Sequence, residues 1–346
     1  AYKLTASGSF PTNIKNQTYH FYKAEGTSYY CTNIEIPQTQ TIATNTTWEN
    51  VSVANKITIE EGATLTITGL IGCADAEKLI IKEGGQLIHN NAGVKATLEK
   101  EIEGYGSTND AWYTISSPLV GNVALSDVEG LIPTNNNYDL YRYDEPTSVW
   151  QNVKESSNNF TSLESGRGFL YANKYDVTLS FSGELNGDDV SYYLTKTDDI
   201  TLSGFHLIGN PFAHNIYKGE GAAIEDKNLA TGYYTLSNSG AWGAKISNEI
   251  PITPGQGILV KTLQEGDVTI KKINTSPSRK SNVDVLSISV KNNDYEDNAF
   301  ILFNEGESLE KINHKNQNVP TIYLPVDGVN YAVANLSDDV KDIPLS

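Results

Sequence analysis

The chain has 346 residues, enough to bury more than one core, and its 28 glycines and 12 prolines are ordinary usage that excludes collagen and wholesale disorder. A formal charge of −17, from 25 basic and 42 acidic side chains, makes nucleic acid and anionic lipid poor partners. No stretch approaches the roughly 20 apolar residues of a membrane-spanning helix, so membrane insertion is not expected.

The opening, AYKLTASGSF, lacks the basic and apolar regions of a signal peptide, and the chain contains no Met. Both features read as a processed product or a piece of something longer. The 20 tyrosines and nine phenylalanines suit half-buried strands, and Thr, Ser, Asn and Asp crowd the gaps between them. The expectation is an all-β protein.

Residues 1–104 read as a β-rich segment built on a repeat. ITIEEGATLTI (Ile57 to Ile67) matches LIIKEGGQLIH (Leu79 to His89) at an offset of 22. Ile57 answers Leu79, Ile59 answers Ile81, Gly62 answers Gly84 and Leu65 answers Leu87. Alternation places the apolar members on one strand face. That period is the size of one β-solenoid coil, with VSV at Val51 to Val53 and VKATL at Val94 to Leu98 as flanking turns. The alternative is a pair of hairpins in a sandwich.

Cys31 and Cys73 are the only cysteines. They form either one disulfide, contributing roughly 3–4 kcal/mol by closing a loop of about 40 residues, or two unlinked buried thiols. With no C-x-x-C and no H-x-x-x-H, a zinc site is not expected.

Residues 105–275 carry an internal duplication, with halves at about 105–190 and 198–275. WYTISSPL (Trp112 to Leu119) is echoed by FHLIGNPF (Phe205 to Phe212). YDLYRYDEPTSVW (Tyr138 to Trp150) is echoed by TGYYTLSNSGAW (Thr231 to Trp242), and SGRGFLYANKYDVTL (Ser165 to Leu179) by PGQGILVKTLQEGDVTI (Pro254 to Ile270). The blocks keep their order while the offset drifts from 93 to 89. Two halves that each lack a closed core would pack into one pseudo-two-fold β-sandwich. Pro118 and Pro211 would end their ladders, and Trp112 and Phe205 would anchor the core. Trp150 and Trp242, at equivalent polar turn tips, are the candidates for stacking on sugar rings, with Tyr143 and Tyr234 beside them. The competing reading is that each Trp folds back as a cap.

A polar linker, KKINTSPSRKSN (Lys271 to Asn282), leads into residues 276–346. There VLSISV, AFILF, TIYLP and YAVANL read as strands of a further β module that ends before its last strands.

No nucleophile elbow G-x-S-x-G is present, and Cys73 has no evident His partner. G-R-G and G-Q-G lack the third glycine of a dinucleotide site, and their repetition points to a backbone role. His206 and His214 bracket GNPF, and His206 stands opposite Tyr113 in the repeat, so it reads as a strand-face residue rather than a metal ligand. Asp188-Asp189 and Ser337-Asp338-Asp339 are the nearest candidates for a Ca2+ loop, but neither has the D-x-D-x-D-G order. No catalytic residue, metal ligand or other cofactor is assigned.

GFHLIGNPF, PITPGQGILVKT and DNAFILFNEG resemble stretches recurring in large surface and secreted proteins of Bacteroidetes, over roughly residues 50–346. There they precede a C-terminal sorting region read by the type IX secretion system, a region absent here. The resemblance implies an extracellular or cell-surface location and carries over no catalytic residues. The expected role is a non-catalytic module array for adhesion, presentation or docking, with a glycan or surface protein as partner. The alternatives are an accessory region of a secreted hydrolase and a carbohydrate-binding module. Open strand edges would also allow self-association.

Overall fold

The structure, a computed structural model, describes residues 18–23, 29–35, 39–106, 111–247, 250–273, 284–303, 306–337 and 344–346. The described residues form strands and short 3-10 turns, with no α-helix, so the chain is all-β. The sheets remain open and separate, and none closes into a barrel.

The residues matched at the 22-residue offset are ladder partners. Ile57 pairs with Leu79, Ile59 with Ile81 and Leu65 with Leu87, all in parallel ladders. The two strands of a hairpin pair antiparallel, so these parallel ladders are not hairpins. Three such parallel runs lie side by side. One joins Gln40–Ile42, Ile57–Ile59 and Leu79–Ile81. A second joins Thr46–Trp48, Thr64–Ile67 and Gln86–Ile88. A third joins Tyr29–Glu35, Val51–Ser52 and Ile71–Gly72. Ile57, Ile59, Leu65, Leu79, Ile81 and Leu87 are fully buried between them. Removing one such side chain from water contributes about 1.5–3 kcal/mol.

Lys95–Ile102 joins this segment to the first duplicated half. It runs parallel to Leu79–Ile81 on one side and antiparallel to Val177–Glu184 on the other. The second half repeats the arrangement, with Val190–Leu194 antiparallel to Gly266–Ile270. Each half therefore has a leading strand paired with its last strand, beyond the blocks that match in sequence.

The duplication is visible in strand order. In the first half, Tyr113–Ser116, Gly168–Asn173, Tyr138–Asp144 and Val149–Asn152 lie in that order across one sheet. In the second, the order is Phe205–Gly209, Gly257–Lys261, Tyr233–Leu236 and Trp242–Lys245. Even the register is kept: Ile115 faces Phe169 as Ile208 faces Ile258, and Ser116 faces Gly168 as Gly209 faces Gly257.

The cores differ from the single shared core expected of two incomplete halves. Each four-stranded sheet is buried on both faces. On one face, Ile115, Phe169 and Tyr171 join the core of the parallel segment, while Ile208, Ile258 and Val260 form a separate core with Leu194, Val268 and Ile270. On the other face, Leu170 of the first half meets Leu207 and Leu259 of the second, and the C-terminal module adds Phe300, Leu309 and Val333. Two-sided burial explains why Gly168–Asn173, Phe205–Gly209 and Gly257–Lys261 read as near-continuous apolar runs rather than alternating ones.

The two sheets meet along a pseudo-two-fold seam of backbone. Ser116 N donates to Gly255 O at 3.0 Å, and the equivalent Gly209 N donates to Gly166 O at 3.0 Å. The second glycine of each G-x-G supplies the space: a Cβ on Gly168 would sit 2.8 Å from Ile208 O, and one on Gly257 would sit 3.3 Å from the Gly168 Cα. A Cβ on Gly209 would lie 2.2 Å from that of Ser116. Gly209→Ala is therefore expected to cost about 3 kcal/mol through overpacking. Gly243→Ala, where an added Cβ meets nothing within 4 Å, should stay within about 0.5 kcal/mol of wild type in urea unfolding.

Candidate functional site

The proposed sugar-stacking aromatics are not a surface platform. Tyr143 and Trp150 are cross-strand partners with ring centroids 5.0 Å apart, and Trp242 takes the equivalent place opposite Leu236. Tyr143, Tyr234 and Trp242 are 4%, 0% and 6% exposed, and all lie in the core between the two sheets and the C-terminal module. Trp150 packs at the margin of that core. A sugar needs an open ring face, so burial corrects the glycan-binding assignment of Trp242, Tyr143 and Tyr234, while Trp150 is half-buried with one side against Tyr143. The turn of the first hairpin stays exposed at Pro146, Thr147 and Val149 while its rings turn inward, and the last module docks over the second hairpin. Trp242 N donates to His314 Nδ1 of that module at 3.2 Å. Tyr234 Oη donates to Glu310 O at 2.6 Å. Phe205 is buried as expected of an anchor. Trp112 is half-buried, with Lys315 Nζ 3.9 Å from its ring centroid.

Polar side chains hold the modules together. Glu145, in the turn DEPT, is 1% exposed and reaches from the first half into the leading loop of the second. Its Oε1 accepts from Thr197 N and Gly204 N, both at 2.8 Å. Its Oε2 accepts from the hydroxyls of Thr195 at 2.7 Å and Thr197 at 3.0 Å. Burial pushes this carboxyl up, and the four donated bonds outweigh it and hold it below its usual range. An acid before a Pro gave no sequence signal for this role.

The repeated proline turns serve the same seam. Asn210 Oδ1 accepts from Phe212 N at 2.9 Å, as Ser117 Oγ accepts from Leu119 N at 3.2 Å in the other half. Asn210 Nδ2 also donates to His214 O and Ile252 O, at 2.8 and 2.9 Å. Asn186 Nδ2 then links both turns, donating to Leu119 O and Pro211 O at 2.9 Å each. The motif GNPF is thus explained as a satisfied corner.

Two further buried charges are paired. Lys218, wholly buried, bonds Asp226 and donates to Ala230 O at 2.9 Å. Asp297, also wholly buried, accepts from Lys311 Nζ at 2.5 Å and from Ile322 N at 2.8 Å. His314 Nε2 lies 3.4 Å from the same carboxylate. Because His314 Nδ1 accepts from Trp242 N, the imidazole carries its proton on Nε2, the atom facing Asp297.

The other candidate residues have structural partners. His206 is a buried strand residue whose Nε2 meets Thr195 O at 2.7 Å. Asp189 Oδ1 accepts from Lys272 N at 2.8 Å, and Asp188 acts on Lys272 as a neighbouring charge. Asp338 and Asp339 lie outside the described residues. Among the described residues, no group of three or more His, Cys, Asp or Glu is placed to hold a metal ion. Cys73 is buried and donates to Asp75 O at 3.2 Å, and the Cys31 side chain lies outside the described residues. No helix among the described residues is long and apolar enough to cross a membrane. A cleft of about 280 Å³ is lined by Thr262, Gln264, Asp267 and the Glu225–Lys271 ion pair.

His89 and His214 lie near each other where the parallel segment contacts the second half. There Leu87 N donates to Ala213 O at 2.8 Å, and Asn215 N donates to Gln86 Oε1 at 2.9 Å. Burial, with Lys272 adding a positive charge nearby, lowers His89 to about 3 and His214 to about 4. Neighbouring His214 also opposes protonation of His89.

Unfolded imidazoles protonate near pH 6.5. The unfolded chain therefore gains protons first as pH falls, and stability is full above pH 6.5 and declines below it. The loss is at most about 1.4 kcal/mol per pH unit for each histidine. Urea midpoints measured from pH 7.5 to 5.5 should fall, and a His89→Gln, His214→Gln double variant should flatten that slope. Glu145→Ala, leaving two buried N–H groups unpaired, should cost about 3 kcal/mol. Glu145→Gln should cost about half as much, because the Thr195 and Thr197 hydroxyls can rotate to accept from the new amide.

No family model, no curated protein and no solved structure matches this chain, so its own residues carry the functional reading.

Proposed function

We propose that this chain is a non-catalytic array of β modules outside the cell, which spaces, presents or docks other parts of a surface assembly. The observation that supports this reading is the use made of buried polar groups at module boundaries. Glu145 joins the two halves through four donated bonds. His314 and Glu310 of the last module bind Trp242 and Tyr234 of the second half. The side chains of Glu145 and His314 are held in place by these contacts, which fix the angle between neighbours as a spacer requires. The resemblance to Bacteroidetes surface modules supports the location.

Two measurements test it. The purified chain, incubated with peptide and glycan substrate panels, should turn over none of them. Turnover that a single carboxylate or histidine substitution abolishes would overturn the non-catalytic reading. Protease shaving of intact cells that make the protein should release peptides from residues 105–275. Their recovery only after lysis would remove the surface assignment.

A further inference from the structure

The C-terminal sheet ends in an open strand. Val285–Lys291 pairs antiparallel with Glu296–Leu302, and among the described residues nothing pairs with its other side. The ends of that ladder reveal where its backbone groups point. Phe303 N donates to Asp284 O at 3.2 Å, and Asn292 N donates to Tyr295 O at 3.0 Å. Bonded and unbonded pairs alternate along an antiparallel ladder. The even-numbered residues from Asp284 to Asn292 therefore turn N–H and C=O inward. Val285, Ser287, Ser289 and Lys291 turn theirs outward, which sets four donors and four acceptors along one edge.

Edge strands are ordinarily blunted by Pro, a bulge or several charges. This strand has no Pro, and its ladder runs without a register shift. Its one charge, Lys291, sits at the end and is paired with Glu296 at 2.7 Å. Val285 and Leu286 are 39% and 48% exposed.

The sequence of the strand, VLSISVK, points to what pairs there: it is nearly palindromic about Ile288. A two-fold axis through Ile288, perpendicular to the sheet, aligns Val285 with the second copy's Lys291 and Ser287 with the second copy's Ser289. Those are the outward-turned residues, so every edge donor meets an acceptor. On one face Leu286, Ile288 and Val290 meet the second copy's Val290, Ile288 and Leu286. That apolar row continues the ladder neighbours Ile301 and Ala299, which are buried. On the other face serine meets serine. The Asp284 end of one copy lies beside the Lys291 end of the other, whereas a parallel partner would set Lys291 beside Lys291.

We propose that this chain forms a two-fold dimer in which the Val285–Lys291 edges of two copies join into one continuous sheet. The pairing is independent of the surface role proposed above. A single strand edge is small for an interface, so the dimer is reversible and concentration-dependent.

Sedimentation of the full chain at rising concentration tests it, beside the Ser289→Pro variant. The Ser289 N–H faces outward, a position where an edge strand tolerates Pro, so the monomer keeps its fold and the dimer loses donors. The wild-type chain should show a monomer–dimer equilibrium whose Kd rises at least about tenfold in Ser289→Pro, with the melting temperature unchanged. Amide exchange should slow with concentration at Val285, Ser287, Ser289 and Lys291, and stay constant at Leu286, Ile288 and Val290. If Ser289→Pro fails to fold, Leu286→Lys, at an exposed position facing Val290 across the axis, serves in its place and should weaken the dimer likewise. A wild-type chain that stays monomeric up to about 1 mM overturns the proposal. So does a dimer that withstands these substitutions and protects none of the outward amides.

Discussion

The backbone seam between the two duplicated sheets constrains the rest of the molecule. Ser116 and Gly209 each donate across it, and Gly168, Gly209 and Gly257 leave no room for side chains there. With the end of each half's first strand held against the G-x-G turn of the other, each four-stranded sheet buries its remaining surface above and below. The parallel segment covers one face of the first half, and the second half covers its own inner face with its leading and last strands. The outer faces of both sheets are left to each other and to the C-terminal module. That module is therefore a structural layer of the duplicated pair as well as its neighbour in sequence.

Polar chemistry is a consequence of this packing. Burying two sheets on both faces brings turns and loops of different modules into contact, and their polar groups must find partners. Glu145 meets the Thr195–Gly204 loop, Asn186 links the two proline turns, and Asp297 gathers Lys311 and His314. Buried ion pairs contribute little net stability against an apolar replacement, and breaking one is costly. The Lys311–Asp297 pair lies within the C-terminal module and steadies His314, whose Nδ1 accepts from Trp242 N of the second half. The same burial keeps His89 and His214 neutral at the contact between the parallel segment and the second half.

Local pattern and repetition determined a good deal by themselves. Composition and alternation specified an all-β chain. The match of Ile57 to Leu79 and Leu65 to Leu87 identified residues that lie side by side in parallel ladders. The matched blocks of the duplication identified strands with the same order and register, and the repeated G-x-G marked a backbone role. These were legible because period and repetition are properties of neighbouring residues, and a duplicated segment folds by the same local rules twice.

Which faces were covered, and by what, was decided by tertiary structure alone. Trp150 and Trp242 sit among turn residues, and the packing of the second half beside Tyr143 and of the last module on Trp242 and Tyr234 places those three rings in a core. Glu145 is one of 42 acidic residues, and its four donors come from residues 50 to 59 positions away. The leading strands Lys95–Ile102 and Val190–Leu194 share no sequence match because the first also pairs with a parallel ladder and the second does not. Burial and pairing at such distances depend on how whole sheets stack, and a stretch of sequence specifies only what its own strand can offer.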